Sequence, residues 1–268
     1  MLDNYMKNKI KIIFVDIDWT IFSHKDGDHV FDMASIEALK EAQKKGILIF
    51  LCTARPYHSV KLTGLLDMFT PDGMILANGG IIIYDNKVIY EKVFDQKKFE
   101  KICEVVLKYK LNLEAVEPYD RFIIAPKTDY IDALFDTYYE TIPPVEDYHN
   151  RHIIACMLFA TEEYDEVLQK EFPKGILYYR FHPYGVDVLE KAHDKGEGVE
   201  FVLNYLQIHK RNAMAFGDDS ADITMFQAVE HSIALANAKE DCKAAAKLIT
   251  SEVWNSGVAV ALKNLKII

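Results

Sequence analysis

The sequence of 268 residues has few cysteines, glycines and prolines, and it has no long hydrophobic run. Its four cysteines (Cys52, Cys103, Cys156 and Cys242) form no CxxC pair and no zinc-like spacing with histidine, so we expect reduced thiols and no zinc site. With 12 glycines and 8 prolines, the chain is neither collagen-like nor of low complexity. No apolar run approaches the length of a membrane span.

Positive charge is also in short supply, with 31 Lys and Arg residues against 41 Asp and Glu residues and a formal net charge of -10. Such a surface repels polyanions, so neither a nucleic acid nor an acidic membrane is expected as a partner. The absence of a GxxxxGK[ST] loop leaves P-loop nucleotide chemistry unsupported. Residues 1–11 lack the apolar stretch of a signal peptide, and we therefore expect a cytoplasmic location. A monomer and a weak dimer are both compatible with the sequence.

Apolar runs alternate with helical patterns at both ends of the chain. The runs 9–16 and 47–52 flank a helix that Ser35 can cap and Gly46 can close, which is typical of a parallel crossover. A helix over 60–68 and a strand over 73–77 follow. The same alternation returns as helices 198–206, 221–229 and 239–248 and strands 213–216 and 232–235. The pattern predicts an α/β fold with one doubly wound, parallel, Rossmann-like sheet.

The middle of the chain has a different pattern. Helices are predicted over 97–110, 130–140 and 162–172, and strands over 121–125, 152–160 and 176–181. We interpret this region as an inserted α+β domain. The predicted division is therefore a core formed by 1–84 and 186–268, with an inserted domain at 85–185.

Polar side chains follow three strands of the predicted core sheet. Asp16 and Asp18 come after the first strand, Thr53 follows the second, and Asp218 and Asp222 follow the strand over 213–216. Ligands bind at the carboxyl ends of strands in such sheets, so these groups are expected to converge. Carboxylates brought together in this way repel one another unless a cation or proton is shared, and an oxygen-only cluster suits Mg²⁺.

Two further residues have chemistry that suits a phosphate. Thr53 offers a hydroxyl and a backbone N–H directly after a strand, and Lys195 precedes the helix that resumes the core pattern. The Lys195 ammonium would neutralise phosphate and nucleophile together. Alone, such a Thr is more often a helix cap and such a Lys is more often a solvated loop residue.

Four stretches in this order resemble the haloacid dehalogenase superfamily of phosphatases, in the Cof-type branch with a large α/β cap. They are Asp-Ile-Asp-Trp-Thr at 16–20, Thr53 after its strand, Lys195 with Gly196, and Gly217-Asp218 with Asp222. Asn78-Gly79 and the segment 235–238 extend the resemblance over essentially the whole chain.

The resemblance implies hydrolysis of phosphate monoesters of small metabolites, sugar phosphates first, through an aspartyl-phosphate. Asp16 would be the nucleophile, and Asp18 would protonate the leaving alcohol and then activate water. The implied Mg²⁺ site comprises Asp16, Asp18 through its backbone carbonyl, Asp218 and Asp222, with Asp222 orienting metal waters or Lys195. Thr53 and Lys195 would hold the phosphoryl oxygens.

Three residues depart from the family pattern. Trp19 stands where the branch usually has Gly, and Asp219 and Ala221 replace the usual Gly and Asn of the last motif. An indole at Trp19 would narrow the leaving-group pocket or stack on a substrate ring. Because the lost Asn removes a polar contact and the extra Asp adds negative charge, we expect a weaker or more Mg²⁺-demanding site.

Two alternatives to a phosphatase remain open at this point. One is a phospho-ligand binder or regulator that has lost turnover, and the other is a phosphomutase or phosphotransferase of the same fold. The inserted domain would supply specificity, and its candidate substrate contacts are Tyr119, Asp120, Arg121, His149, Arg151, Arg180 and His182.

Overall fold

A computed structural model describes residues 10–25, 28–125, 128–129, 131–132, 135, 141–190 and 194–268. These residues form two compact units. The first takes the described parts of Met1–Ala54, Leu65–Tyr90 and His193–Ile268, and the second takes those of Arg55–Gly64 and Glu91–Ala192.

The strands and helices are numbered in chain order. The strands are β1 (Ile12–Val15), β2 (Phe22–Lys25), β3 (Asp28–Phe31), β4 (Leu48–Cys52), β5 (Gly73–Leu76), β6 (Ile81–Tyr84), β7 (Lys87–Glu91), β8 (Asn112–Val116), β9 (Arg121–Ile124), β10 (Ala155–Phe159), β11 (Ile176–His182), β12 (Gly185–Glu190), β13 (Ala213–Gly217), β14 (His231–Ala234) and β15 (Leu248–Ile249). The α-helices are α1 (Met33–Lys44), α2 (Tyr57–Leu62), α3 (Leu65–Met68), α4 (Gln96–Lys108), α5 (Asp165–Glu171), α6 (Lys195–Tyr205), α7 (Ile223–Ala228), α8 (Glu240–Ala245) and α9 (Gly257–Asn264).

The first unit is built on an eight-stranded sheet with the order β15-β14-β13-β1-β4-β5-β6-β7. Pairing is parallel from β15 to β5, and β6 is antiparallel to β5. All four residues of β1 are buried, as expected for an apolar strand inside a sheet covered on both faces. The predicted α/β fold with a doubly wound parallel sheet is therefore confirmed.

Helix α1 illustrates both a correct and an incorrect boundary prediction. Gly46 closes the helix as predicted, with φ +82 and its N–H donating to the carbonyl of Gln43. The cap predicted at Ser35 is wrong, because the Asp32 carboxylate accepts the Ser35 N–H at 3.1 Å. The Ser35 hydroxyl instead accepts the N–H of Ala259 at 3.0 Å, a tertiary contact with α9.

Three predicted core helices are shorter than expected. The pattern over 60–68 is interrupted at Gly64, whose φ of +79 an α-helix cannot contain. The pattern over 221–229 begins with a 3₁₀ turn, Ser220–Asp222, before α7. The pattern over 239–248 ends early because Ala246 is extended, and the chain then enters β15.

The second unit contains an antiparallel sheet with the order β11-β12-β10-β8-β9. One face packs on α4 and α5 through a core that includes Phe99, Ile102, Cys156 and Val188. The predicted helix over 130–140 lies largely outside the described residues. Among the residues that are described, no helix is both long and apolar enough to cross a membrane.

The three arginines proposed as substrate contacts have local structural partners in the second unit. Arg121 is buried with Glu114 at 3.1 Å. Arg151 pairs with Glu117 at 2.9 Å and with Glu146 at 2.8 Å. The Arg180 Nε donates to Asp165 at 2.9 Å. These interactions are typical of residues that hold a domain together, and no substrate contact is needed to explain them.

Candidate active site

Strand register brings the predicted site residues to one edge of the first unit's sheet. Val15 of β1 lies opposite Leu51 of β4 on one side and opposite Phe216 of β13 on the other. The residues that follow these strands therefore emerge side by side. Asp16 is fixed at this edge because its N–H donates to the carbonyl of Phe216 at 3.0 Å.

Three carboxylates and one ammonium meet at this edge. Asp16, Asp218 and Asp222 each offer one oxygen atom within 4.8 Å of the others. The Lys195 Nζ lies 2.8 Å from an oxygen of Asp16 and 2.6 Å from an oxygen of Asp222. All four residues are buried.

The first turn of α6 places Lys195 in this cluster. The Asp194 carboxylate caps the helix by accepting the Glu197 N–H at 2.9 Å. Position 196 tolerates only glycine, since a Cβ there would lie 2.5 Å from the Thr224 carbonyl oxygen. The glycine at 196 therefore permits the close approach of α6 to α7 directly beside Lys195.

Asp222 organises the loop that follows β13. One carboxylate oxygen accepts the Lys195 ammonium, and the other accepts the N–H groups of Asp218 at 2.9 Å and Asp219 at 3.0 Å. A Cβ at Gly217 would lie 2.5 Å from this carboxylate. Because both oxygens have protein partners, Asp222 is suited to orienting Lys195 and Asp218.

Thr20 belongs to the site although it was not among the candidate site residues. It is fully buried, and its hydroxyl donates to an Asp218 oxygen at 2.9 Å. The signal that could have identified it is its place in the motif at 16–20. Its hydrogen bond therefore holds one oxygen of a carboxylate that belongs to the cluster.

The positions of Thr53 and Asp18 support their predicted roles less fully than the positions of the four clustered residues do. Thr53 is buried, but its backbone N–H donates to the Ile75 carbonyl at 2.9 Å, so the N–H predicted to hold phosphate serves the sheet instead. Its hydroxyl is the remaining candidate for that role. Asp18 is half-buried and lies outside the set of three carboxylates that share one point.

Burial and mutual repulsion change the acidity of the site. Burial raises the pKa of Asp16 well above its usual range, and the Asp222, Asp218 and Asp18 charges raise it further, while Lys195 opposes them. Burial, together with Asp222, raises the pKa of Asp218 to about 7. Burial lowers the pKa of Lys195, but the neighbouring carboxylates outweigh it and hold that pKa well above its usual value.

The donor set fits a divalent cation. When all groups are ionised, three carboxylates surround one ammonium, so two negative charges are left uncompensated in a buried cluster. Oxygen-only ligands of this charge suit a hard cation. The ligands best placed to hold it are Asp16 and Asp218, since Asp222 already binds Lys195 and two amides.

The raised pKa of Asp218 predicts an inverted pH dependence of stability without metal. The folded state binds the proton more tightly than the unfolded state, whose Asp titrates near 3.8, so stability is lost as pH rises toward about 7. Thermal or urea unfolding in chelator should show a loss on the order of 2 kcal/mol between about pH 5 and about pH 8.

A divalent cation and the Asp218→Asn substitution should each flatten this pH profile. The cation supplies the missing positive charge, and the amide removes the titrating group. Metal-free wild-type protein that becomes more stable as pH rises through this range would contradict the electrostatic description of the cluster.

The departures from the family pattern lie beside the cluster. Trp19 has a left-handed backbone with φ 55, and its side chain is 38% exposed. The Asp219 carboxylate accepts the Ala221 N–H at 3.2 Å and pairs with Lys239 at 2.6 Å. Lys239 thus opposes the extra negative charge, and the weaker Mg²⁺ site stays a prediction.

Comparisons with known proteins agree with this geometry. The family model described as haloacid dehalogenase-like hydrolase matches residues 13–262. Over 269 residues the chain is 27% identical to the Bacillus subtilis (strain 168) protein named "Putative phosphatase YkrA", covering 95% of this chain and 97% of that protein.

Two solved structures are also similar over nearly the full chain. A hypothetical protein from Geobacillus kaustophilus HTA426 has a TM-score of 0.89 and 25% identity, with 97% of this chain and 100% of that chain covered. The subclass IIB sugar phosphatase BT4131 has a TM-score of 0.79 and 29% identity, with 96% and 100% covered. With the carboxylate cluster and the family match over most of its length, the chain belongs to the haloacid dehalogenase-like hydrolases.

Proposed function

We propose that this enzyme hydrolyses phosphate monoesters of small metabolites, sugar phosphates first, through an aspartyl-phosphate on Asp16 and with Mg²⁺ as cofactor. The observation that carries the proposal is the position of the Asp16 carboxylate, which lies 2.8 Å from the Lys195 ammonium and within 4.8 Å of Asp218 and Asp222 oxygens. A buried carboxylate beside positive charge can approach a phosphate dianion.

In the first proposed step, an Asp16 oxygen forms a bond to phosphorus, and the bond from phosphorus to the leaving oxygen breaks. The leaving oxygen takes a proton from the Asp18 carboxyl, so an alcohol departs. Lys195 balances negative charge on Asp16 and on the phosphoryl group, while Asp222 holds the ammonium at 2.6 Å.

In the second proposed step, the Asp18 carboxylate accepts a proton from water. The water oxygen bonds to phosphorus, and the bond between phosphorus and Asp16 breaks to release phosphate and restore the carboxylate. Thr53 would contribute its hydroxyl to a phosphoryl oxygen. Asp16, the Asp18 carbonyl and Asp218 would hold Mg²⁺, which when bound neutralises charge on the phosphoryl group.

The net charge and the relatives support the proposed substrate class. A net charge of -10 disfavours polyanionic substrates, whereas the buried cationic group serves one small anionic group. BT4131 is described as a sugar phosphatase, which supports sugar phosphates for this chain. We further propose that the second unit, which contains most of the insertion predicted at 85–185, is the specificity domain and that the first unit is the catalytic core.

The test is phosphate release from p-nitrophenyl phosphate, hexose phosphates, glycerol phosphate and phosphoglycolate, with Mg²⁺ or with chelator. The proposal predicts Mg²⁺-dependent release, with hexose phosphates among the best substrates. Absence of release from all of them by folded protein would contradict hydrolysis. Transfer of the phosphoryl group to a second sugar without release would assign a phosphotransferase instead.

A further inference from the structure

Trp19 has a backbone conformation that bulky residues rarely adopt. Its φ of 55 lies in the left-handed region, where a side chain with a Cβ costs roughly 1–2 kcal/mol relative to glycine. The residue directly follows Asp18 and is three positions from Asp16. Strain of this kind persists only where surrounding contacts enforce it.

Hydrogen bonds fix the two peptide planes on either side of the Trp19 Cα. The N–H of Trp19 belongs to the same plane as the Asp18 carbonyl, and it donates to the Phe22 carbonyl at 2.6 Å. The Trp19 carbonyl belongs to the next plane and accepts the Asn237 amide N–H at 2.8 Å. That second plane also carries the Thr20 N–H, which donates to the Ile17 carbonyl at 3.3 Å. Together these three bonds hold the left-handed φ and, with it, the direction of the Asp18 carbonyl.

The Asn237 amide is itself oriented by a second hydrogen bond. Its oxygen accepts the Val253 N–H at 2.8 Å, so its nitrogen must face Trp19. Val253 is buried and begins the 3₁₀ turn Val253–Asn255. Asn237 therefore links the turn after the nucleophile to a buried residue of the first unit.

We propose that Asn237 is a positioning residue for the proposed hydrolysis, on which this inference rests. Its amide holds Trp19 in the left-handed conformation, and this keeps the Asp16–Asp18 turn in its productive geometry. Misplacement of reacting groups by about 1 Å can lower the rate on the order of a hundredfold. Glycine at position 19 would adopt the same φ without strain, so it should make the hydrogen bond far less necessary.

The test is a double-mutant cycle with Asn237→Ala and Trp19→Gly, followed with p-nitrophenyl phosphate and saturating Mg²⁺. Asn237→Ala in the wild-type background should lower kcat on the order of tenfold with KM within about twofold. In the Trp19→Gly background the same substitution should lower kcat by less than about threefold. Asn237→Asp retains an oxygen for Val253 but loses the donor to Trp19, and it should behave like Asn237→Ala.

A role for Asn237 that is confined to holding Val253 predicts a different pattern. The loss of kcat would then be equal in both backgrounds, and Asn237→Asp would resemble wild type. Either result would overturn the proposal.

Thermal unfolding in chelator provides a readout without turnover. It is measured for wild type, Asn237→Ala, Trp19→Gly and the double variant. Asn237→Ala should lower Tm less in the Trp19→Gly background than in wild type. If the Tm losses differ between the two backgrounds but wild type has no phosphatase activity, the proposed function is refuted and the link between Asn237 and Trp19 is retained. Equal Tm losses in both backgrounds would refute the Asn237 link itself.

Discussion

Asp16→Asn is expected to abolish phosphate release, with kcat lowered by a factor on the order of 10⁴ or more. An amide oxygen is a poor nucleophile toward phosphorus. Asp16 lies 2.8 Å from Lys195. Asp222 also contacts Lys195, but its second oxygen already accepts the backbone N–H of Asp218. The fold should survive, because burial already raises the pKa of Asp16 and makes its charge unfavourable. In chelator near pH 8, the variant should unfold at or above the wild-type temperature.

The matched control is Asp241→Asn. Asp241 is exposed in the first turn of α8 and accepts the Ser220 hydroxyl at 2.6 Å, so its substitution removes one carboxylate without touching the cluster. Its activity should stay within about threefold of wild type. Asp16→Asn protein that is folded and keeps more than a tenth of wild-type kcat would show that Asp16 is not the nucleophile.

Of the substitutions discussed, Lys195→Met is expected to lower the free energy of unfolding most. It should also lower activity. It removes the one ammonium from a cluster that contains three carboxylates and leaves buried charge without a partner. Breaking a buried ion pair in this way typically costs about 3–5 kcal/mol. Urea unfolding at neutral pH in chelator measures the effect, and added divalent cation should restore part of the stability.

Lys239→Met is the control for this experiment. Lys239 pairs with Asp219 at 2.6 Å, but its side chain is 61% exposed, so its loss should cost less than about 1 kcal/mol. If Lys195→Met were no more destabilising than Lys239→Met, the buried cluster would not have an excess of negative charge.

The architecture of the core was predictable because its signals are local. The β1 segment is short, apolar on both faces and rich in β-branched residues, which is typical of a strand inside a covered sheet. Parallel strands end at a common edge, so Asp16 and Asp218 could be placed together without knowledge of any contact. The start of α6 was also encoded, since Asp194 followed by Glu197 is a capping pattern, yet the helix was predicted to begin three residues late.

The features that sequence analysis missed depend on contacts between distant residues. The Thr20 hydroxyl reaches Asp218 across 198 positions, and the Asn237 amide reaches Trp19 across 218 positions. Neither spacing has a pattern that a single sequence reveals. The arginines of the second unit were proposed as substrate contacts for a similar reason, because the carboxylate that neutralises Arg121 lies on a neighbouring strand.

Covalent trapping tests most directly whether turnover passes through a phosphorylated Asp16. Asp18→Asn protein would be mixed with p-nitrophenyl phosphate and Mg²⁺, quenched in acid and digested for peptide mass analysis. Because p-nitrophenolate leaves without a proton, phosphorylation should proceed while hydrolysis slows. We predict that the peptide containing Asp16 gains the mass of one phosphoryl group, with a matching burst of p-nitrophenolate. Phosphorylation of another residue, or turnover by wild type with no adduct on Asp16 in either protein, would contradict this mechanism.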